Sequence, residues 1–155
     1  MKLLVISDTH RNIENAVSLI NKLKPDYVLH LGDVCEDSKR LSDIFPKLIV
    51  LSVIGNNDYS LMYPDFPLER VFEIGSKKIF MCHGHKYRVK LGIYSLLLRA
   101  KELNADIALF GHTHEKSLEK EDGIIILNPG STRSYGIIEI NDEKIDVKLE
   151  NYDNE

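Results

Sequence analysis

The chain has 155 residues, 43% hydrophobic and 28% charged, with a formal net charge of −4. Those proportions exclude a disordered, collagen-like or fibrous chain, and the length suffices for a single domain with one core. The acidic balance argues against a general nucleic-acid or membrane-surface binder, and two cysteines, Cys35 and Cys82, without a CxxC pair point to a reduced, cytoplasmic setting rather than a disulfide framework or thiolate zinc site.

Lys2 to Ser7 is an apolar run of strand length, the pattern of a strand buried on both faces. It follows Met1 directly and is too short for a signal-peptide core or a membrane span. Asn12 is placed to cap a helix whose apolar residues Ile13, Ala16, Val17, Ile20 and Leu23 follow helical spacing, ended by Lys24-Pro25. Tyr27 to Leu31 reads as a second buried strand, Ser38 to Phe45 as a weaker helix, and Lys47 to Ile54 as a third strand. This β-α-β-α-β opening implies a parallel sheet with helices on its faces. Tyr59 to Pro67 reads as a loop, and Arg70–Ile74 with Lys78–Cys82 as a hairpin. A helix from Val89 to Leu103 is expected to bury Leu91, Tyr94 and Leu98. Strand-like runs at Asp106–Phe110, Gly123–Leu127, Gly136–Ile140 and Ile145–Leu149 complete a strand-rich second half, which suggests two packed sheets with helices outside. With no linker or repeat, residues 1–155 read as one domain, and the polar residues 151–155 as a frayed tail.

Polar residues cluster where the strands end. Asp8 and His10 follow the first strand, Gly32-Asp33 the second, and Gly55-Asn56-Asn57-Asp58 the third. His83-Gly84-His85 and Gly111-His112-Thr113-His114 follow two later ones. Neighbouring parallel strands deliver their carboxyl ends to one edge, where ligands bind. Asp8/His10 and His112/His114 are each spaced so that both side chains can point to one side of an extended segment. Oxygen and nitrogen donors without sulfur favour Mn²⁺, Fe²⁺, Zn²⁺ or Ni²⁺ over Cu(I) or an iron–sulfur cluster. Seven donors, Asp8, His10, Asp33, Asn56, His83, His112 and His114, are too many for one four-coordinate ion and suit two ions sharing a carboxylate.

These segments, in this order, resemble the five motifs of the calcineurin-like metallophosphoesterase superfamily, and Asn128-Pro129-Gly130-Ser131 resembles a further segment of its small single-domain prokaryotic phosphodiesterase branch. The resemblance implies a four-layer αββα sandwich, an α/β fold of two mixed sheets flanked by helices. It implies that Asp8, His10 and His114 hold one divalent ion and Asn56, His83 and His112 the other, with Asp33 between them, Mn²⁺ being the first expectation. It also implies hydrolysis of a small-molecule phosphodiester by in-line attack of a water that the two ions activate. The same fold serves as a protein-contact scaffold in the retromer subunit and as the core of larger nucleases, so these remain alternative roles.

One position departs from the family pattern. Many members carry His after the motif-three Asn, where it protonates the leaving oxygen; Asn57 stands here and cannot supply a proton at neutral pH. That leaves Asp58 and His85 as candidates for acid–base work. Lys77 to Lys90 contains five basic residues and no acidic one. Lys86 and Arg88 from this run, with Arg11 and Arg133, are candidate contacts for an anionic substrate. His30 reads as a hydrogen-bonded core histidine, and Cys82 and Cys35 as small buried hydrophobes. Tyr59, Met62, Tyr63 and Phe66 suit either an apolar substrate wall or a contact between copies of the chain.

Overall fold

The computed structural model describes residues 1–152. Among them, ten strands form two five-stranded sheets, and the three α-helices lie on the outer faces. The first half runs β1 (Lys2–Ile6), α1 (Glu14–Leu23), β2 (Tyr27–His30), α2 (Glu36–Ile44) and β3 (Ile49–Ser52). β1 pairs in parallel with β2, and β2 with β3, as a β-α-β-α-β order dictates. The second half contains β4 (Glu69–Ile74), β5 (Lys77–Cys82), α3 (Tyr94–Glu102), β6 (Ile107–Leu109), β7 (Ser117–Glu121), β8 (Ile124–Asn128), β9 (Ser134–Asn141) and β10 (Lys144–Asn151). One sheet has the order β10-β9-β1-β2-β3 and the other β4-β5-β6-β8-β7. β9 returns to the first sheet and runs antiparallel to β1, so both sheets are mixed.

Strand alternation sorts the apolar residues into three layers. Leu3, Val5, Leu29, Ile79, Met81, Ile107 and Leu109 point between the sheets. From the same strands, Leu4, Ile6 and Val28 point outward against Ala16, Ile20 and Leu41. On the other side, Phe80, Cys82, Ala108 and Phe110 meet Leu96 and Ala100 of α3. This αββα layering is the expected fold. It places the carboxyl ends of β1, β2, β3, β5 and β6 where the chemistry-bearing loops begin.

Three local expectations fail and one strand was not foreseen. Asn12 does not cap α1; Ile13 precedes the helix and no side chain caps it. The helix expected from Val89 begins only at Tyr94, because Arg88 turns left-handed and Gly92, at φ 140°, interrupts the run. Leu91 falls outside the helix and is 86% exposed, and the helix buries Leu96 and Ala100 rather than the expected face, leaving Tyr94, 73% exposed, and Leu98 open. β7 carries Ser-Leu-Glu-Lys-Glu, a charged edge strand without an apolar alternation to announce it. At the other end β10 continues to Asn151, and Tyr152 packs against Tyr135, its N–H donating to the Arg133 carbonyl at 2.9 Å. The expectation of a frayed tail fails there and, for 153–155, lies outside the described residues.

Candidate metal centre

Asp8, at the end of β1, is fully buried. Its Oδ2 accepts from the Ser7 hydroxyl at 2.5 Å and from the His112 N–H at 3.3 Å. Its Oδ1 has no hydrogen-bond partner. That orphaned oxygen faces His114 Nε2 at 3.1 Å and His83 Nε2 at 3.9 Å. A buried carboxylate oxygen without a donor is costly unless a cation completes it.

His83 is held in one orientation. Its Nδ1 lies 2.8 Å from the Leu31 carbonyl, which can only accept, so Nδ1 carries the proton and Nε2 is turned to the crevice. There Nε2 lies 3.5 Å from Asp33 Oδ2 and 3.2 Å from His112 Nδ1. Asp33 is clamped by Asn57, whose backbone N–H donates to Oδ1 at 3.0 Å and whose side-chain amide donates to Oδ2 at 2.8 Å. Asn57 thus serves the Asp33 carboxylate. Asp58 accepts from three backbone amides, those of Asp33, Gly55 and Cys35, at 2.8–3.0 Å. That arrangement ties the loop after β2 to the loop after β3 and engages both Asp58 oxygens as acceptors.

Charge follows from this packing. Burial opposes ionisation of Asp33, but His83 and the two Asn57 donors outweigh it and hold the carboxyl well below the usual range. Burial opposes protonation of His83 as well, yet Asp33, Asp8 and the Leu31 carbonyl raise its pKa above the ordinary value. His112 and His85 are both lowered, by burial first and by His83 next. Cys35 is pushed up to about 12 by burial and by Asp58, so it is no thiolate ligand.

Two donor groups have the spacing of a metal site: Asp8, His10 and His114, and Asp8, Asp33 and His83, with ligand atoms within 4.8 Å of one another in each. Asp8, rather than Asp33, is common to both. Asn56 sits exposed beside Gly55, where any Cβ would collide with Asp33 Oδ1; Gly111 is similarly required by Ser7 and Asp8. The backbone is strained where the donors sit, with Asp8, His10, Asp33, His112 and His114 at φ between 51° and 70°. The orphaned Asp8 Oδ1, the hard and borderline donors and the closely facing imidazoles fit divalent cations.

Of the remaining candidates, His85 lies beside the centre, its ring 5.6 Å from His83 and 6.2 Å from His112, and its Nδ1 is buried without a partner. Lys86 is close enough to lower the His85 pKa. Arg11, Arg88 and Arg133 are exposed, and among the described residues their guanidinium groups make no hydrogen bond or ion pair. Met62, Tyr59, Tyr63 and Phe66 lie on the loop after β3, where Tyr63 stacks on Phe66 and donates to Glu36.

A buried relay, invisible as a motif, braces the first loop. The Gly32 N–H donates to His30 Nδ1 at 3.2 Å, so the His30 proton sits on Nε2 and is given to Thr9 Oγ1 at 2.9 Å. Thr9 in turn donates to Asp37 Oδ2 at 2.5 Å, and Asp37 also accepts the Arg11 N–H at 2.8 Å. Burial lowers the His30 pKa, consistent with this neutral form. Asn128 braces the last loop, donating to the Gly111 carbonyl at 3.1 Å and to Thr113 Oγ1 at 2.9 Å, while Ser131 donates to the Asp8 carbonyl.

Comparison with known proteins agrees with this geometry. A calcineurin-like phosphoesterase superfamily domain matches residues 1–140. The probable metallophosphoesterase YsnB of Bacillus subtilis is 32% identical, covering 96% of this chain and 90% of its own. The phosphodiesterase MJ0936 of Methanocaldococcus jannaschii is 28% identical, covering 87% and 86%. Among solved structures, a predicted phosphoesterase from Streptococcus pneumoniae superposes with a TM-score of 0.81 at 30% identity, covering 99% of this chain and 91% of that one. Vps29 from Entamoeba histolytica complexed with zinc reaches 0.79 at 26% identity, covering 99% and 100%. The ordered motifs, the αββα layers and these matches together make the chain a member of the calcineurin-like phosphoesterase superfamily.

Proposed function

We propose that this chain is a divalent-metal-dependent phosphodiesterase acting on small-molecule phosphoesters in a reducing, cytoplasmic compartment. The observation that carries the reading is the buried, partnerless Asp8 Oδ1 facing His114 and His83. The name of the Methanocaldococcus jannaschii relative gives the reaction class.

In this reading Asp8, His10 and His114 hold one ion, Asn56, His83 and His112 the other, and Asp33 lies between them. When bound, two such ions supply Lewis-acid stabilisation of the phosphate and a lowered pKa for water; Mn²⁺ is the first candidate, with Ni²⁺, Fe²⁺ and Zn²⁺ behind it. The chain's residues prepare for this. Leu31 fixes the His83 tautomer, Asn57 keeps both oxygens of Asp33 in place, and Asp58 locks the two loops that carry Asp33 and Asn56. His85, whose ring stands 5.6 Å from that of His83, is the candidate contact for a phosphate oxygen. Lys86 and Arg88, with Arg11 and Arg133, contribute a positive rim that draws an anionic ester inward.

The test compares bis-p-nitrophenyl phosphate with p-nitrophenyl phosphate after chelation and re-addition of Mn²⁺, Ni²⁺, Zn²⁺ or Mg²⁺. Turnover of the diester should vanish on chelation, return with metal and exceed that of the monoester. Asp33→Asn and His83→Ala should each lower kcat at least ~10²-fold with little change in circular dichroism. Wild-type rates in either variant, or activity that survives chelation, contradict the proposal.

A further inference from the structure

Beside the centre, a cleft of about 570 Å³ opens between the Val89–Ile93 segment and the loop that leads from β6 into β7. Two sets of its lining residues adjoin the donor cluster. Thr113, on its wall, lies between His112 and His114 in the chain. Val89 and Phe110, at its floor, pack against Gly84, where a Cβ would lie 2.9 Å from a Val89 methyl and 3.5 Å from Phe110 Cβ, and Gly84 separates His83 from His85.

Exposed Leu91 and half-buried Ile93 give the cleft an apolar side. Its charged lining balances, Lys90 and Lys116 against Glu115 and Glu119, so it offers no net attraction to a second anion. Its size falls in the range of small-molecule pockets and greatly exceeds a methyl group. Leu91, expected to be buried in a helix, stands open here because the helix begins only after Gly92, at Tyr94.

We infer that this cleft holds the organic group that stays esterified to the phosphate while the other alcohol is expelled, and that it selects an uncharged, ring-bearing substituent of about nucleoside size over a small alkyl one. The inference rests on the phosphodiesterase reading above. It concerns binding of the retained group and requires no further catalytic residue.

Two diesters with the same leaving group isolate this effect: thymidine 5′-(p-nitrophenyl phosphate) and methyl p-nitrophenyl phosphate. The Mn²⁺-loaded wild type should favour the thymidine ester by about tenfold or more in kcat/KM, mainly through KM, since even one added apolar group in a pocket discriminates by about tenfold or more. Leu91→Glu, at an exposed position, should collapse that ratio towards one, whereas Leu98→Glu, exposed on α3 outside the cleft, should keep it. Equal kcat/KM for the two esters in the wild type, or an unchanged ratio in Leu91→Glu, overturns the cleft assignment while leaving the phosphodiesterase reading intact. Failure to hydrolyse either ester overturns both.

Discussion

Thr9 shows how a residue with no ligand atom of its own controls those on either side of it. It lies between Asp8 and His10, and its hydroxyl both accepts from His30 and donates to Asp37, with all three side chains buried. Thr9→Val keeps the shape but strands the buried His30 Nε2–H and removes one of the two donors to Asp37 Oδ2. It should therefore destabilise the fold by about 1–3 kcal/mol in urea denaturation and weaken Mn²⁺ binding by ~10-fold or more. Thr9→Ser, which retains the hydroxyl, should recover both; metal affinity unchanged in Thr9→Val refutes this role. His30 was legible as a core histidine because strand alternation set it apart from Asp33. Asn57 was legible only as a missing acid, and its clamp on Asp33 depends on a loop geometry that spacing cannot supply. Asp37 carried no signal at all, being one acidic residue in the first turn of an exposed-looking helix.

Strands were more legible than helices because a strand buried on both faces leaves a continuous apolar run, as in Leu3 to Ile6, whose side chains alternate between two layers. α3 was misphased because its apolar residues outnumber those it buries, and the positive φ at Arg88 and Gly92, not hydrophobicity, sets its start. What fastens α3 to the sheet edge is partly ionic. Glu69 on β4 accepts from Arg99 Nε and Nη2 at 3.1 and 2.6 Å and from the Tyr87 hydroxyl. Burial works against the Glu69 charge, but Arg99 and Tyr87 prevail and lower its pKa. A carboxyl whose folded pKa lies below its unfolded one contributes stability above the unfolded value, near ~4.3, and loses it as pH falls through the folded value. Glu69→Gln should thus lower stability by about 1 kcal/mol at pH 7, and the gap should close under acid. A gap that stays constant with pH, measured by thermal unfolding, contradicts this coupling.

At the scale of the molecule, the sandwich brings segments separated by more than a hundred positions to one edge, as the bond from the His112 N–H to Asp8 illustrates. Order and spacing of the motifs made that convergence legible. The cleft beside it was not, because it depends on where a helix fails to start. Under the proposed dinuclear reading, two divalent ions would carry a charge equal and opposite to the chain's −4, at the point where its acidic candidate ligands converge. The most direct measurement is the rate of bis-p-nitrophenyl phosphate hydrolysis as Mn²⁺ is titrated into chelated, dialysed protein at concentrations well above the dissociation constant. The rate should rise from zero and level off at two ions per chain; a plateau at one ion, or a rate that ignores the metal, would contradict the dinuclear centre.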